Sequence, residues 1–306
     1  MSIIRPHKAA DVVLEKLRFP LITQPKIDGV RGCYLNSYFT ARTLKTFRNT
    51  RMVEALSDPE LQGFDGELAI GAPTNPALCR LTTSYVNSYA QNTVARLPNW
   101  YIFDWLTPQL LQVPYAKRLI LLKQRIKDLH AKDPERYGFL RIIQREHLCN
   151  SVEDVLAAHE EYITAGYEGT VTRFLAAPHK SGRSTVNQSW FMRLKDAGTE
   201  ECTILDILEA QENLNPAMLN ELGETERSSH KEGKISKNMI GSLIVEIPDG
   251  RVITIGAGKL THEERYKYWE QPGDIIGRIC TYKFMKVGEH EMRRHPRFTE
   301  FRDEDL

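Results

Sequence analysis

Apolar and polar positions follow two periods along this chain. Residues 7–18, HKAADVVLEKLR, carry apolar side chains at helical spacing and stop before Pro20, which predicts a helix. LITQPKIDGVRGCYL then reads as strand, turn and strand, with Gly29 in the turn. FDGELAI at 64–70 predicts an Asp-Gly turn leading into an alternating strand, and YIFDWL at 101–106 a short aromatic strand. YAKRLILLKQRIKDL at 115–129 has the stripe of an amphipathic helix. SVEDVLAAHEEYITAG at 151–166 is a helix with both ends marked: Ser151 can cap, Asp154 holds the capping-box position and Gly166 ends it. YEGTVTRF and SWFMRLKD follow as strands.

After Asp196-Ala197-Gly198 the pattern changes. ECTILDILEA is β-rich, 210–240 is long and polar, and GSLIVEI and RVITIGAG form a hairpin around Pro248-Asp249-Gly250. Thr261 and Glu264 open a short helix that Pro272 stops, and DIIGRICTYKFMKV is a last long strand. Several short strands with one helix suit a small barrel such as an OB-fold. The reading is two domains, 1–198 and 199–306, with no internal repeat and no low-complexity tract.

Length and composition agree with this. A chain of 306 residues that is 41% hydrophobic can bury a core in each of two domains. No run approaches the ~20 apolar residues of a membrane helix, and the N-terminus carries no apolar core with a cleavage site. The five cysteines are scattered, odd in number and without a C-x-x-C pair, which argues against a disulfide scaffold and a structural zinc site. The expectation is a cytoplasmic monomer without a membrane partner. Net charge is only +1, so any surface for nucleic acid must gather its cations locally.

Candidate chemistry begins with K-x-D-G-x-R: Lys26, Asp28, Gly29 and Arg31. A lysine at the end of a strand, before a tight turn, is held with its amine aimed into the adjoining cleft. To attack phosphorus it must be deprotonated, and the reference pKa is about 10.4, so neighbouring cations or a metal must favour the neutral amine. Alone, such a segment is also an ordinary surface hairpin. It is followed in fixed order by ARTLKTFRN at 41–49, FDGEL at 64–68, YIFDW at 101–105, EGTVTR at 168–173 and FMRLK at 191–195. In these segments the chain resembles the covalent nucleotidyltransferases, which include ATP-dependent DNA ligases, RNA ligases and capping enzymes. The resemblance spans nearly the whole chain, and its order and spacing are more specific than any one segment.

The residue types suit the chemistry that the resemblance implies. Lys26 is the amine that takes AMP. Glu67 is a carboxylate able to accept hydrogen bonds from ribose hydroxyls, and Phe103 an aromatic platform for the adenine. Glu168 offers a hard oxygen for Mg2+. Arg193 and Lys195 alternate on one strand, so both face one side and suit the α-phosphate. By the same resemblance Arg31, Arg42 and Arg183 contact the nick phosphates or the AMP. Arg193 stands where a lysine is usual. Gln24-Pro25 precede Lys26 where many relatives carry an acidic residue that reads adenine.

The C-terminus narrows the class. RRHPRFTEFRDEDL at 293–306 resembles the closing segment of DNA ligases, and the resemblance gives Arg294 and Arg302 a part in expelling pyrophosphate. The segment 210–240 resembles the DNA-encircling latch of minimal viral and phage ligases, with Arg227, His230, Lys231, Lys234 and Lys237 supplying local charge. The implied fold is α+β: an adenylation (nucleotidyltransferase) domain of antiparallel sheets and helices, then an OB-fold barrel. The implied activity is sealing of nicked double-stranded DNA, with ATP as donor and Mg2+ as cofactor. No nicotinamide-recognition segment precedes the first motif, which also points to ATP. RNA ligases and capping enzymes are the nearest alternatives, and RHPRF with the latch-like insert argues against both.

Overall fold

The computed structural model describes residues 3–89, 97–219, 225–228, 231–285 and 293–302. The chain divides into two compact units, Met1–Lys195 and Asp196–Leu306.

In the first unit the strands are β1 (His7–Lys8), β2 (Ala10–Asp11), β3 (Leu21–Lys26), β4 (Val30–Leu35), β5 (Tyr38–Ala41), β6 (Phe64–Ala69), β7 (Asn99–Trp105), β8 (Leu140–Ile142), β9 (His147–Cys149), β10 (Gly169–Phe174), β11 (Gly182–Arg183) and β12 (Phe191–Lys195). The helices are α1 (Thr50–Leu56), α2 (Leu78–Asn87), α3 (Tyr115–Lys132), α4 (Pro134–Tyr137) and α5 (Val152–Thr164). Two five-stranded sheets result, in the orders β2-β12-β10-β3-β9 and β5-β4-β6-β7-β8. The chain passes from one to the other between Lys26 and Val30. At Gly29 a Cβ would lie 2.1 Å from the Leu68 carbonyl oxygen, so only glycine fits there.

α3 buries the stripe Tyr115, Leu119, Leu122, Ile126 and Leu129 in a core with Phe39, Phe64 and Trp100 of the second sheet. Each such aliphatic side chain contributes roughly 1.5–3 kcal/mol. α5 starts on the predicted capping box, with Ser151 and Asp154 bonded reciprocally, and Gly166 leaves the helix at φ +89°. Its Val155 packs on Leu21 and Cys149, fixing α5 against β3 and β9.

Two local expectations fail. Residues 7–18 do not form a helix. β1 pairs in parallel with β11 and β2 with β12, and only Leu14–Lys16 turn, as a 3-10 helix. His7 is buried and hydrogen-bonds Ser184 Oγ at 2.7 Å. Pairing along sheet edges and burial outweigh the weak local helical preference. Asp65-Gly66 does not form a turn either: both lie inside β6. A Cβ on Gly66 would meet the Tyr101 carbonyl oxygen at 2.5 Å, so glycine here allows β7 to approach.

The second unit holds β13 (Ala197–Asn213), β14 (Ala217–Leu219), β15 (Thr225–Arg227), β16 (Lys234–Glu246), β17 (Val252–Gly256), β18 (Ile279–Met285), β19 (Arg294–Phe301) and α6 (His262–Glu270). The strands β13-β16-β17-β19-β18 close a barrel around Ile204, Leu243, Val245, Ile255, Tyr282 and Phe298. This is the expected small barrel. The polar segment 210–240 is not separate from it. β13 and β16 stay paired into the segment, Gln211 with Ser236 and Asn213 with Lys234, and β14 pairs with β15 as a short hairpin.

Candidate active site

Lys26 ends β3, and its register partner on β10 is Gly169. On the other edge of β10, Gly169 is also the partner of Lys195. Partners in register project to one face of a sheet, so the two ammoniums flank the start of β10. Glu168 lies between them. Its backbone N–H donates to the Lys26 carbonyl at 3.1 Å. One carboxylate oxygen accepts from Lys26 Nζ, and the other lies 2.7 Å from Lys195 Nζ. Glu168 is 3% exposed. Burial pushes its carboxyl up, but the two ammoniums outweigh burial and hold it below the ordinary range. Gly169 permits the crowding, since a Cβ there would lie 2.2 Å from the Leu194 carbonyl oxygen.

Glu67 on β6 faces the same cluster. Its register partners are Arg31 on β4 and Tyr101 on β7. Burial raises its carboxyl to about 7, opposed by the charges of Lys26 and Arg31. Arg31 is clamped by Asp65, with Nε–Oδ1 at 2.8 Å and Nη2–Oδ2 at 2.5 Å. The Arg31 guanidinium also lies 5.0 Å from the Phe103 ring centre, and that of Arg173 5.6 Å from it. Arg173 reaches Asp104 at 3.4 Å, and Arg118 grips Asp104 through two bonds of 2.8 and 3.0 Å. Gln24, on the Lys26 face of β3, donates to Glu146.

Other candidates are not joined to this cluster. Arg193 is on β12 as expected, but its guanidinium is held by Asp11 at 2.7 Å. Arg42 is exposed in the turn after β5, and Arg183 is exposed on β11, donating to the Ala9 carbonyl at 3.2 Å. In the second unit Lys231 and Lys234 are exposed, Arg227 donates to the Asn215 carbonyl, and Lys237 lies 3.5 Å from Glu212. Arg302 pairs with Glu201 at 2.7 Å. Of Arg294 only the backbone, in β19, is described, and His230 lies outside the described residues.

Family models match most of the chain: an ATP-dependent DNA ligase domain over residues 4–192 and a DNA ligase OB-like domain over residues 232–302. The chain belongs to the ATP-dependent DNA ligase family. The DNA ligase of African swine fever virus is 22% identical over 174 residues, 56% of this chain and 35% of that protein. The matched stretch thus spans about a third of the length of that curated relative. A Chlorella virus DNA ligase-adenylate structure is 25% identical, covers 100% of both chains and superposes with a TM-score of 0.53. A Lig E DNA ligase structure shares the fold at 19% identity, with a TM-score of 0.68 over 99% of this chain and 100% of that one.

In this ligase-family chain the site suits a nucleotide. Two ammoniums, both paired with Glu168, stand side by side at the start of β10, and among the described residues no hydrogen bond reaches the Glu67 carboxylate. Among the described residues no group of three or more His, Cys, Asp or Glu side chains is placed to hold a metal. A magnesium ion at Glu168 would therefore draw its remaining ligands from phosphate oxygens and water, the usual manner for this cation. Each motif segment is visible in the sequence, but the buried pairings Arg31–Asp65 and Arg118–Asp104–Arg173 are not. For Glu146 the sequence carries no signal at all.

Proposed function

We propose that this chain seals nicks in duplex DNA with ATP as donor, through AMP carried on Lys26. The observation that carries the reading is the Lys26–Glu168–Lys195 cluster, with Glu67 beside it at the junction of two sheets. Lys26 Nζ, once deprotonated, attacks the α-phosphorus. A P–N bond forms, and the bond to the pyrophosphate oxygen breaks. Lys195 lies close enough to offset charge on the α-phosphate in that step, and Arg193 joins it if it leaves exposed Asp11. Glu67 accepts from the ribose hydroxyls, and Phe103 supports the base. Mg2+ at Glu168, when bound, screens the phosphate oxygens.

The 5′-phosphate oxygen of the nick then attacks the AMP phosphorus, breaking the P–N bond and restoring the amine. In the last step the 3′-hydroxyl attacks the 5′-phosphate and AMP leaves. Arg31 is proposed to contact the AMP, and Arg42 and Arg183 in the first unit, with Arg227, His230, Lys231, Lys234 and Lys237 in the second, are the proposed DNA contacts. The active species is a monomer in the cytoplasm. A Chlorella virus relative solved as a ligase-adenylate supports the covalent step, and no helix among the described residues is long and apolar enough to cross a membrane.

Labelled ATP tests the reading. The wild-type chain acquires label that survives denaturation, whereas Lys26→Ala and Lys26→Arg do not, because guanidinium stays protonated. A nick already bearing AMP on its 5′-phosphate is still sealed by Lys26→Ala, more slowly for lack of one cation. Label on Lys26→Ala would assign the nucleophile to another residue.

A further inference from the structure

Cys202 on β13 and Cys280 on β18 are register partners in the barrel. Directly opposed residues of antiparallel strands have Cα atoms about 4.5–5.5 Å apart, inside the roughly 4.4–6.8 Å that a disulfide spans. Both residues are free thiols here, buried in the barrel core at 4% and 0% exposed. Their Sγ atoms lie 3.5 Å apart. A covalent bond requires closure to about 2.05 Å, which is within the reach of side-chain rotation. The contact with Cys202, with the charge of Arg278, holds the Cys280 thiol below its usual range against the opposing effect of burial, so Cys280 is the sulfur that ionises first. The other two buried cysteines are set differently. Cys33 lies 3.1 Å from Asp65 Oδ1 and Cys149 3.8 Å from Thr23 Oγ1, and burial pushes both thiols up.

We propose that Cys202 and Cys280 form a peroxide-reactive dithiol site whose product is a reversible disulfide joining β13 to β18. The Cys280 thiolate attacks one oxygen of hydrogen peroxide, the O–O bond breaks, hydroxide leaves, and the sulfur becomes a sulfenic acid. The Cys202 sulfur attacks that sulfur, an S–S bond forms, the S–O bond breaks, and the leaving hydroxide takes the Cys202 proton as water. Two thiols are oxidised, one peroxide is reduced, and two waters result. Peroxide is small and uncharged, so local opening of the β13–β18 seam admits it. A lone thiol at this place would pass from sulfenic to sulfinic acid, which a thiol reductant does not reverse and which would bury a charge in the barrel. The neighbouring sulfur intercepts that path. The two residues are 78 positions apart, and closing so long a loop restrains the unfolded chain, so the oxidised barrel stays folded.

The test treats the folded full-length chain with hydrogen peroxide, blocks the remaining thiols and maps the peptides by mass. The wild-type chain yields a peptide pair that links position 202 to position 280, short by two hydrogens and separated by dithiothreitol, and its melting temperature does not fall on oxidation. Cys202→Ala leaves Cys280 without a partner. In that variant Cys280 gains two oxygens that dithiothreitol does not remove, and the oxidised protein melts at least about 5 °C below its own reduced form. Cys79, which is partly exposed, serves as the internal reference. A wild-type map in which Cys79 is oxidised while Cys202 and Cys280 remain thiols overturns the proposal. So does a Cys280 that reaches sulfinic acid in the wild-type chain without the link, or a link that forms only in denaturant. The wild-type map decides whether the bond forms, whatever the stability of the variant.

Discussion

Glu67 is a residue in which burial and charge oppose each other. Its carboxyl is raised to about 7, first by burial, with Lys26 and Arg31 pulling it down. In an unfolded chain a glutamate titrates near 4.3. The folded state therefore binds the proton more tightly, and its stabilising contribution is complete below the unfolded value. That contribution is lost as pH rises from about 4.3 through 7. Glu67→Gln removes the titration. Unfolding at pH 8 should then take about 1–3 kcal/mol more for the variant than for wild type, with little difference at pH 4.5, while AMP capture falls for want of a ribose partner. Denaturant melts at the two pH values measure this, and equal differences at both would refute the assignment. Asp104 is the opposite case. Burial raises it, but Arg118 and Arg173 hold it down to about 2. Asp104→Ala strands two buried guanidiniums and should cost about 3–5 kcal/mol, read as a lower urea midpoint.

At the scale of elements, glycines decide how closely strands approach. Gly66→Ala would drive a methyl onto the Tyr101 carbonyl oxygen, 2.5 Å away. Displacing β7 by that much should destabilise the first unit by about 1–3 kcal/mol, and since Glu67 is the next residue, AMP capture should fall as well. A melting temperature equal to wild type would mean that the strands adjust freely. Much of the fold was legible in the sequence where the marker is local. Ser151 with Asp154 and Thr261 with Glu264 cap their helices as expected, and the α3 stripe is buried as read. Residues 7–18 depart from their helical pattern because parallel pairing with β11 and β12 involves residues more than 170 positions away. The position of Gly66 inside a strand, and the meeting of Gln24 with Glu146, are likewise products of tertiary contact. Most of the chemistry-bearing segments were readable because they sit on strands, where alternation fixes the facing side; ARTLKTFRN runs instead from the end of β5 into a turn. What stayed hidden was their mutual pairing, Arg31 with Asp65 above all. The segment 210–240 was read as a polar insert, yet β13 and β16 continue into it. Deleting residues 215–232 should lower nick affinity at least tenfold and steepen no salt dependence, since cations are removed. AMP capture by that variant should stay within about twofold of wild type, because Lys26 and its partners lie in the other unit; nick affinity equal to wild type would exclude a DNA-binding role for the segment.

For the whole molecule, the question is what the second unit contributes to chemistry in the first. Lys26, Glu168 and Lys195 all belong to Met1–Lys195, and Arg294 and Arg302 to Asp196–Leu306. Expelling pyrophosphate requires positive charge on the leaving group, which the roles proposed for Arg294 and Arg302 would supply. Arg302 is only weakly held within its own unit. Its side chain is 60% exposed, and its partner Glu201 is itself exposed. Exposed ion pairs are worth about 0–1 kcal/mol, so exchanging Glu201 for a phosphate costs little. Changing both Arg294 and Arg302 to alanine should reduce AMP capture from ATP at least a hundredfold. The later steps involve no pyrophosphate, so sealing of a nick that already carries AMP should stay within a fewfold of wild type. Glu201→Ala, which removes the competing carboxylate, should capture AMP as fast as wild type or slightly faster. If the double variant sealed the adenylated nick as poorly as it captured AMP, the arginines would serve DNA binding or folding instead, and charge on the leaving group would have to come from the first unit alone.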